Sequence, residues 1–169
     1  MTNDERPVTA ADRKVSAIDA LKAARRAVLE AAVALSPEAA GIIFLGEWSA
    51  KDIVAHLTGW DRANAEAVQA VLASRLPAFY AHRDPDWRAF NAELVAQYRD
   101  EDYVAGLRAA RASHQALCEL LESIPAAEFE RDHGVRFRGY KVTIARLLAA
   151  DSRDEQVHAQ QLREFQRRR

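Results

Sequence analysis

Ile144, Leu148, Asp151, Glu155, His158, Leu162 and Phe165 recur at alternating intervals of four and three. That rhythm keeps side chains on one stripe of an α-helix, the stripe that faces a core. The helix it predicts runs from about Lys141 to Gln166, and it needs other helices to cover its stripe. Yet three of the seven positions, Asp151, Glu155 and His158, are ionisable. Burying charge is costly unless a metal, hydrogen bonds or water compensate it. The chain must therefore bury this stripe and also supply the compensation.

The rest of the sequence provides the covering helices. Only six Gly and five Pro occur in 169 residues, which favours helix over a turn-rich β fold. Thr9-Ala-Ala-Asp12 reads as a capping box opening a first helix that runs to about Leu35. Ser36-Pro37-Glu38 reads as a single capped turn, and Ile42, Ile43, Phe44 and Leu45 in the following loop are expected to plug one end of a bundle. Ser49-Ala-Lys-Asp52 opens a second helix, to about Ser74, with Ile53, Leu57, Trp60, Asn64 and Val68 facing inward. Asp84-Pro85 starts a third helical region reaching Ser123, either kinked or broken at Asp100-Glu-Asp102. Residues 126–140 carry Gly134 and Gly139 as breakers, with a brief strand at Val135–Phe137. These elements make an all-α four-helix bundle in one domain, 1–169, with residues 1–8 as a flexible lead-in.

Composition narrows the partners. The net charge is −1, so no global basic bias toward nucleic acid exists and none is expected as a partner. No apolar run approaches the ~18 residues of a membrane span, so no membrane partner is expected. The lone Cys118 excludes an intrachain disulfide and fits a reduced, cytoplasmic location. Arg167-Arg-Arg169 suits the negative end of a helix.

Asp154 and His158 are four apart, one helical turn, so both can reach one ion. Glu155 and His158, three apart, form the alternative pair used in bundle metalloproteins. His56, on the second helix beside Ile53, Leu57 and Trp60, is the candidate third ligand. Two His and one carboxylate leave coordination positions open, as a catalytic site requires. The same residues also fit a bland pattern: an intrahelical Asp154–His158 ion pair on a solvated face, and a core His56 satisfied by a carbonyl. His82, His114 and His133 read as loop or surface residues, Cys118 as a small buried one. Trp48, Trp60 and Trp87 read as core anchors.

Glu47-Trp-Ser-Ala-Lys-Asp-Ile-Val-Ala-His-Leu-Thr-Gly-Trp60 resembles the Trp-(Ser/Thr)-x-(Lys/Arg)-(Asp/Glu)-x-(Leu/Val)-x-His-Leu signature of the DinB-like superfamily. That group includes bacillithiol and mycothiol S-transferases and the mycothiol-dependent maleylpyruvate isomerase. Asp154-Glu-Gln-Val-His158-Ala-Gln-Gln-Leu162 is similar to the family's His-Glu-x-x-His-x-x-Gln-Leu. Phe90–Glu93 and Ser123–Phe129 resemble the ClbS/DfsB-like branch. The resemblance implies an up-up-down-down bundle with a crossover connection. It also implies a divalent metal, zinc before nickel or manganese, held by His56, Asp154 and His158. Asp154 stands where many relatives have histidine. Glu155 and Asp151 become the residues expected to handle protons. The implied function is a thiol-dependent S-transferase or isomerase acting on a small electrophile, with a low-molecular-weight thiol as cosubstrate. The alternatives are a ClbS-like protective protein that binds or hydrolyses an electrophilic natural product without a required metal, and a non-catalytic module. A homodimer through Ile42-Ile43-Phe44 is the expected assembly.

Overall fold

The structure, a computed structural model, describes residues 7–82 and 87–169. The expected Asp84-Pro85 helix start lies outside the described residues, as do residues 1–6 of the lead-in. The elements are α1 (Ala10–Val33), α2 (Pro37–Ala40), α3 (Ala50–Leu72), a 3-10 turn (Ala78–Ala81), α4 (Arg88–Tyr98), α5 (Tyr103–Ser123), α6 (Ala126–Glu130) and α7 (Ile144–Arg167). Two short strands, β1 (Arg136–Phe137) and β2 (Tyr140–Lys141), pair antiparallel just before α7.

The local signals explain the boundaries. Thr9 and Ser49 each form a reciprocal capping box, with Asp12 and Asp52, and so satisfy N–H groups that a helix start leaves unpaired. The third helical region is two helices. Arg99 is extended, and the Asp102 carboxylate accepts from the Val104 and Ala105 N–H groups to start α5 afresh. Helix α7 begins at Ile144 rather than Lys141, because Tyr140 and Lys141 are spent on β2 and Thr143 caps the helix.

Cross-helix bonds set the helix directions. Arg25 reaches the Ala110 carbonyl and Tyr103 reaches that of Ala32, so α1 and α5 are antiparallel. Lys51 bonds the Glu101 carbonyl and Ser113 bonds Asp61, so α3 and α5 are parallel. Arg25 bonds Glu155 and Gln166 bonds the Ala31 carbonyl, so α1 and α7 are parallel. The order is therefore up-down-down-up, which corrects the expected up-up-down-down. The crossover itself is present: two parallel helices cannot be joined by a tight turn, and residues 73–102 make the long return. Of the loop residues expected to plug the bundle, Phe44 stacks on Phe165 at 4.2 Å. Ile42 and Ile43 are exposed instead; the chain reverses at Gly46 (φ 60°), pairs Leu45 with Trp48, and leaves them outside.

The core divides in two. Ile18, Leu21, Val68, Leu121 and Leu148 pack at one end, and Val28, Ile53, Leu57, Leu107 and Leu162 at the other. Between them lies a layer of buried polar side chains: Arg25, His56, Asp61, Asn64, Asp151, Glu155 and His158. No helix among the described residues is long and apolar enough to cross a membrane.

Candidate metal centre and adjoining cavity

His56 lies in the second turn of α3, held in place by the capping box at Ser49. Asp154 and His158 lie one turn apart on α7. Ligand atoms of the three fall within 4.8 Å of one another. Asp154 Oδ2 is 3.0 Å from His56 Nε2 and 3.5 Å from His158 Nε2. Both imidazoles are buried, whereas the Asp154 side chain is 52% exposed. Trp48 packs against both rings, at 4.9 and 6.1 Å.

These donors fit a divalent ion. Ligands at about 2.1 Å from a tetrahedral zinc sit about 3.4 Å apart, and the observed separations of 3.0 and 3.5 Å bracket that figure. His158 Nδ1 lies 2.8 Å from Gln161 Oε1. That contact orients the ring so that Nε2 faces the Asp154 oxygen, where both could share a cation. Burial pushes the His56 imidazole below its ordinary range, against the opposing pull of Asp154. That leaves it neutral and able to ligate. Burial also opposes ionisation of Asp154, but His158 and His56 more than offset it and hold the carboxyl well below the usual carboxylate range.

A cavity of about 380 Å³ opens beside the three residues, at the small end for ligand pockets, roughly 300–1,000 Å³. His56, Trp60 and Asn64 line it from α3, Leu147, Asp151 and Asp154 from α7, and Phe79, Tyr80, Trp87 and Asn91 close it. Trp60 touches Phe79, Trp87 and Phe90 at ring separations of 5.3–5.8 Å. Of the tryptophans expected as core anchors, Trp60 and Trp87 line this cavity together with Tyr80, and Trp48 packs on the histidines.

The two carboxyls expected to move protons are placed differently. Asp151 lines the cavity, and its Oδ2 has no partner among the described residues. Burial, together with the nearby charges of Glu155 and Asp61, pushes its carboxyl well above the usual range. Glu155 does not line the cavity. It is fully buried and accepts from Arg25 Nε at 3.0 Å and Nη2 at 2.6 Å. Burial raises its carboxyl, and the Arg25 cation opposes that rise.

Arg25 and Asp61 were not foreseen. The Arg25 guanidinium also grips Asp61 in a fork, at 2.8 and 2.9 Å, and donates to the Ala110 carbonyl. Burial disfavours the Asp61 carboxylate, yet His114, Arg25 and Ser113 bring it below its ordinary value. His114, expected at the surface, has only 12% of its side chain exposed, 3.7 Å from Asp61. His133, also expected there, is buried against Glu128. His82 stacks on Phe90 at 5.4 Å.

With this geometry established, similarity to other proteins acquires content. Residues 20–162 match the DinB superfamily. No curated protein matches the sequence. The colibactin self-resistance protein ClbS, solved in complex with a dsDNA, superposes with a TM-score of 0.76 at 17% identity, over 90% of this chain and 94% of that one. An uncharacterised protein from Escherichia coli UTI89 superposes with a TM-score of 0.69 at 16% identity, over 96% and 95%. Identities this low speak for a shared fold alone. The ClbS complex nonetheless corrects one expectation: near-neutral net charge does not exclude nucleic acid for a bundle of this kind, since a protein of the same fold holds a DNA duplex.

Proposed function

The chain belongs to the DinB superfamily, and on that premise we propose that it is a divalent-metal enzyme joining a small nucleophile to an electrophile held in the aromatic cavity. His56, Asp154 and His158 would hold the ion, with zinc the best match to two imidazoles and a carboxylate. The ion's contribution when bound is to keep a thiol or a water anionic near neutral pH. The nucleophile favoured is a low-molecular-weight thiol. Trp60, Phe79 and Trp87 exclude water and orient the electrophile. Asp151, whose burial favours the protonated form, delivers a proton to the leaving or carbonyl oxygen. Glu155 holds Arg25 rather than substrate. The observation that carries this reading is the convergence of three ligand atoms at the edge of a cavity whose wall contains an acid without a partner.

A second reading has its own support. The shared fold with ClbS and the aromatic lining suit a protective protein that takes up an electrophilic natural product without a required metal. Elemental analysis of protein purified without chelator separates the two. Near-stoichiometric metal that disappears in His158→Ala supports the enzyme reading, and conjugation of a model electrophile with a thiol should disappear with it. Metal-free protein that also fails to take up added zinc, nickel or manganese removes that reading and leaves the second.

A further inference from the structure

The cavity contains polar groups that the metal chemistry does not use. Asn64 is 3% exposed, lines the cavity and makes no side-chain hydrogen bond to any described residue. A carboxamide offers two N–H donors and two acceptor lone pairs, and those of Asn64 open onto the cavity rather than onto another side chain. Asn91 contributes a second amide. Its Oδ1 accepts the Trp60 indole N–H at 3.0 Å, which fixes that oxygen and leaves the NH2 unspent. Asp151 adds a carboxyl whose Oδ2 has no partner. Around these groups the walls are flat rings, and no Lys or Arg is among the described lining residues.

The arrangement has a direction. His56, Trp60 and Asn64 are successive fourth residues on one face of α3, so the metal-ligating end and the Asn64 end are separated by about 12 Å of helix. A molecule lying along α3 would present one end to the ligand triad and the other to Asn64.

We infer that this cavity selects a small, planar, uncharged molecule bearing a carboxamide or lactam, whose N–H and C=O pair with Asn64 and Asn91 while its ring lies among Trp60, Phe79 and Trp87. This names the substrate class of the site described above, and rests on that reading for which end of the molecule reacts. An anionic ligand meets the Asp154 carboxylate with no Lys or Arg among the described wall residues to receive it. A cationic one finds Asp154 committed to the triad and rings that meet each other edge-on rather than forming a cage. A purely apolar one leaves Asn64 unpaired.

The test uses four probes of nearly equal size: naphthalene-2-carboxamide, 2-naphthoate, 2-naphthylmethylamine and 2-methylnaphthalene. Isothermal titration calorimetry on the full chain, both chelator-treated and zinc-supplemented, reads each Kd. The amide should bind at least about tenfold more tightly than the other three, because only it satisfies the buried amides. Asn64→Leu should weaken the amide to the level of methylnaphthalene while changing methylnaphthalene itself less than about twofold. Retained methylnaphthalene binding also reports that the variant is folded; Asn64→Ala is the substitute if Asn64→Leu fails that check. No measurable amide binding, a carboxylate or amine that binds as well, or an amide preference that survives loss of Asn64 each overturns the inference. Metal content of the same preparations keeps the two proposals apart. Metal-free protein with the amide preference intact removes the enzyme reading alone, and metal-loaded protein without it removes this inference alone.

Discussion

Replacing Arg25 with Met should unfold the polar layer from the inside. Arg25 donates four hydrogen bonds to two buried carboxylates and a fifth to the Ala110 carbonyl. The side chains of all three charged residues are at most 2% exposed. Removing one partner of a buried pair costs about 3–5 kcal/mol, because the remaining charge has neither water nor counterion. Here two carboxylates are stranded, and each has the option of taking up a proton. From ordinary carboxyl values of about 4, neutralising one at pH 7 costs about 4 kcal/mol, and that cost falls by about 1.4 kcal/mol per pH unit as the solution becomes acidic. The loss at pH 7 should therefore be at least about 3–5 kcal/mol, a fall in Tm of about 10 °C for a chain of this size.

The pH dependence is the sharper half of that prediction. In the intact protein Asp61 sits below its ordinary value. Its contribution is present above the unfolded pKa and is lost only as pH falls through the lower folded one. In Arg25→Met both carboxyls rise above their unfolded values, so the native state binds more protons than the unfolded state and stability falls with rising pH. The difference between Arg25→Met and wild type should thus shrink by up to about 2.7 kcal/mol per stranded carboxyl from pH 7 to pH 5. Urea titrations at the two pH values, with a common slope checked, measure it. A triple variant adding Asp61→Asn and Glu155→Gln should recover most of the loss. A deficit under about 1 kcal/mol at pH 7, or one that does not shrink toward pH 5, refutes the claim that Arg25 compensates these charges.

Three further outcomes are expected. Asp151→Asn should abolish turnover yet raise stability at pH 8: the raised Asp151 carboxyl contributes fully below about pH 4 and loses that contribution as pH climbs toward its folded value, at up to about 1.4 kcal/mol per unit. Urea titrations across pH 5–8 should show wild type declining relative to the variant, and parallel curves would contradict the assignment. Gly59→Ala should loosen α4, since a Cβ there would lie 2.8 Å from Leu94 Cβ, and Leu94 is the buried residue of α4. The expected cost is about 1–3 kcal/mol, with faster amide exchange confined to α4 and weaker ligand binding. The Cys118 thiol is buried, which pushes it up to about 11. It should react slowly with a disulfide reagent at pH 8 in the native protein and fast on addition of urea, and equal rates would contradict the assignment.

Much of this layout was legible in the sequence, and the parts that were not share one cause. Periodicity places a residue on a face, so the all-α bundle and the inward positions of His56, Asp151, Glu155 and His158 could be read directly. The same test would have found Arg25, which falls between Leu21 and Val28 on the stripe Ile18, Leu21, Arg25, Val28, Ala32. It would also have found Asp61, between Leu57 and Asn64. A charge on one stripe becomes informative only when its partner on another helix is known, and pairing across helices depends on their directions. Periodicity is silent on direction. The up-down-down-up order is set by the bonds between helices, and without it Glu155 and Arg25 could not be brought together from sequence.

The acids of α7 show how position decides what a carboxylate becomes. Asp154 and Glu155 are neighbours in sequence, about 100° apart around the helix axis. Glu155 is fully buried, and its counterion belongs to the chain, which supplies Arg25. Asp154 is half exposed at the edge of the bundle, with two imidazoles within 3.5 Å. A cation from solvent can reach it there. Asp151 has neither a cation nor exposure, and its remaining way to tolerate burial is to keep its proton. One helix thus holds a carboxylate compensated by the protein, one available to a metal, and one stored as an acid. Only the last two face the cavity, which is why Asp154 and Asp151, rather than Glu155, are the acids through which chemistry at this site would run.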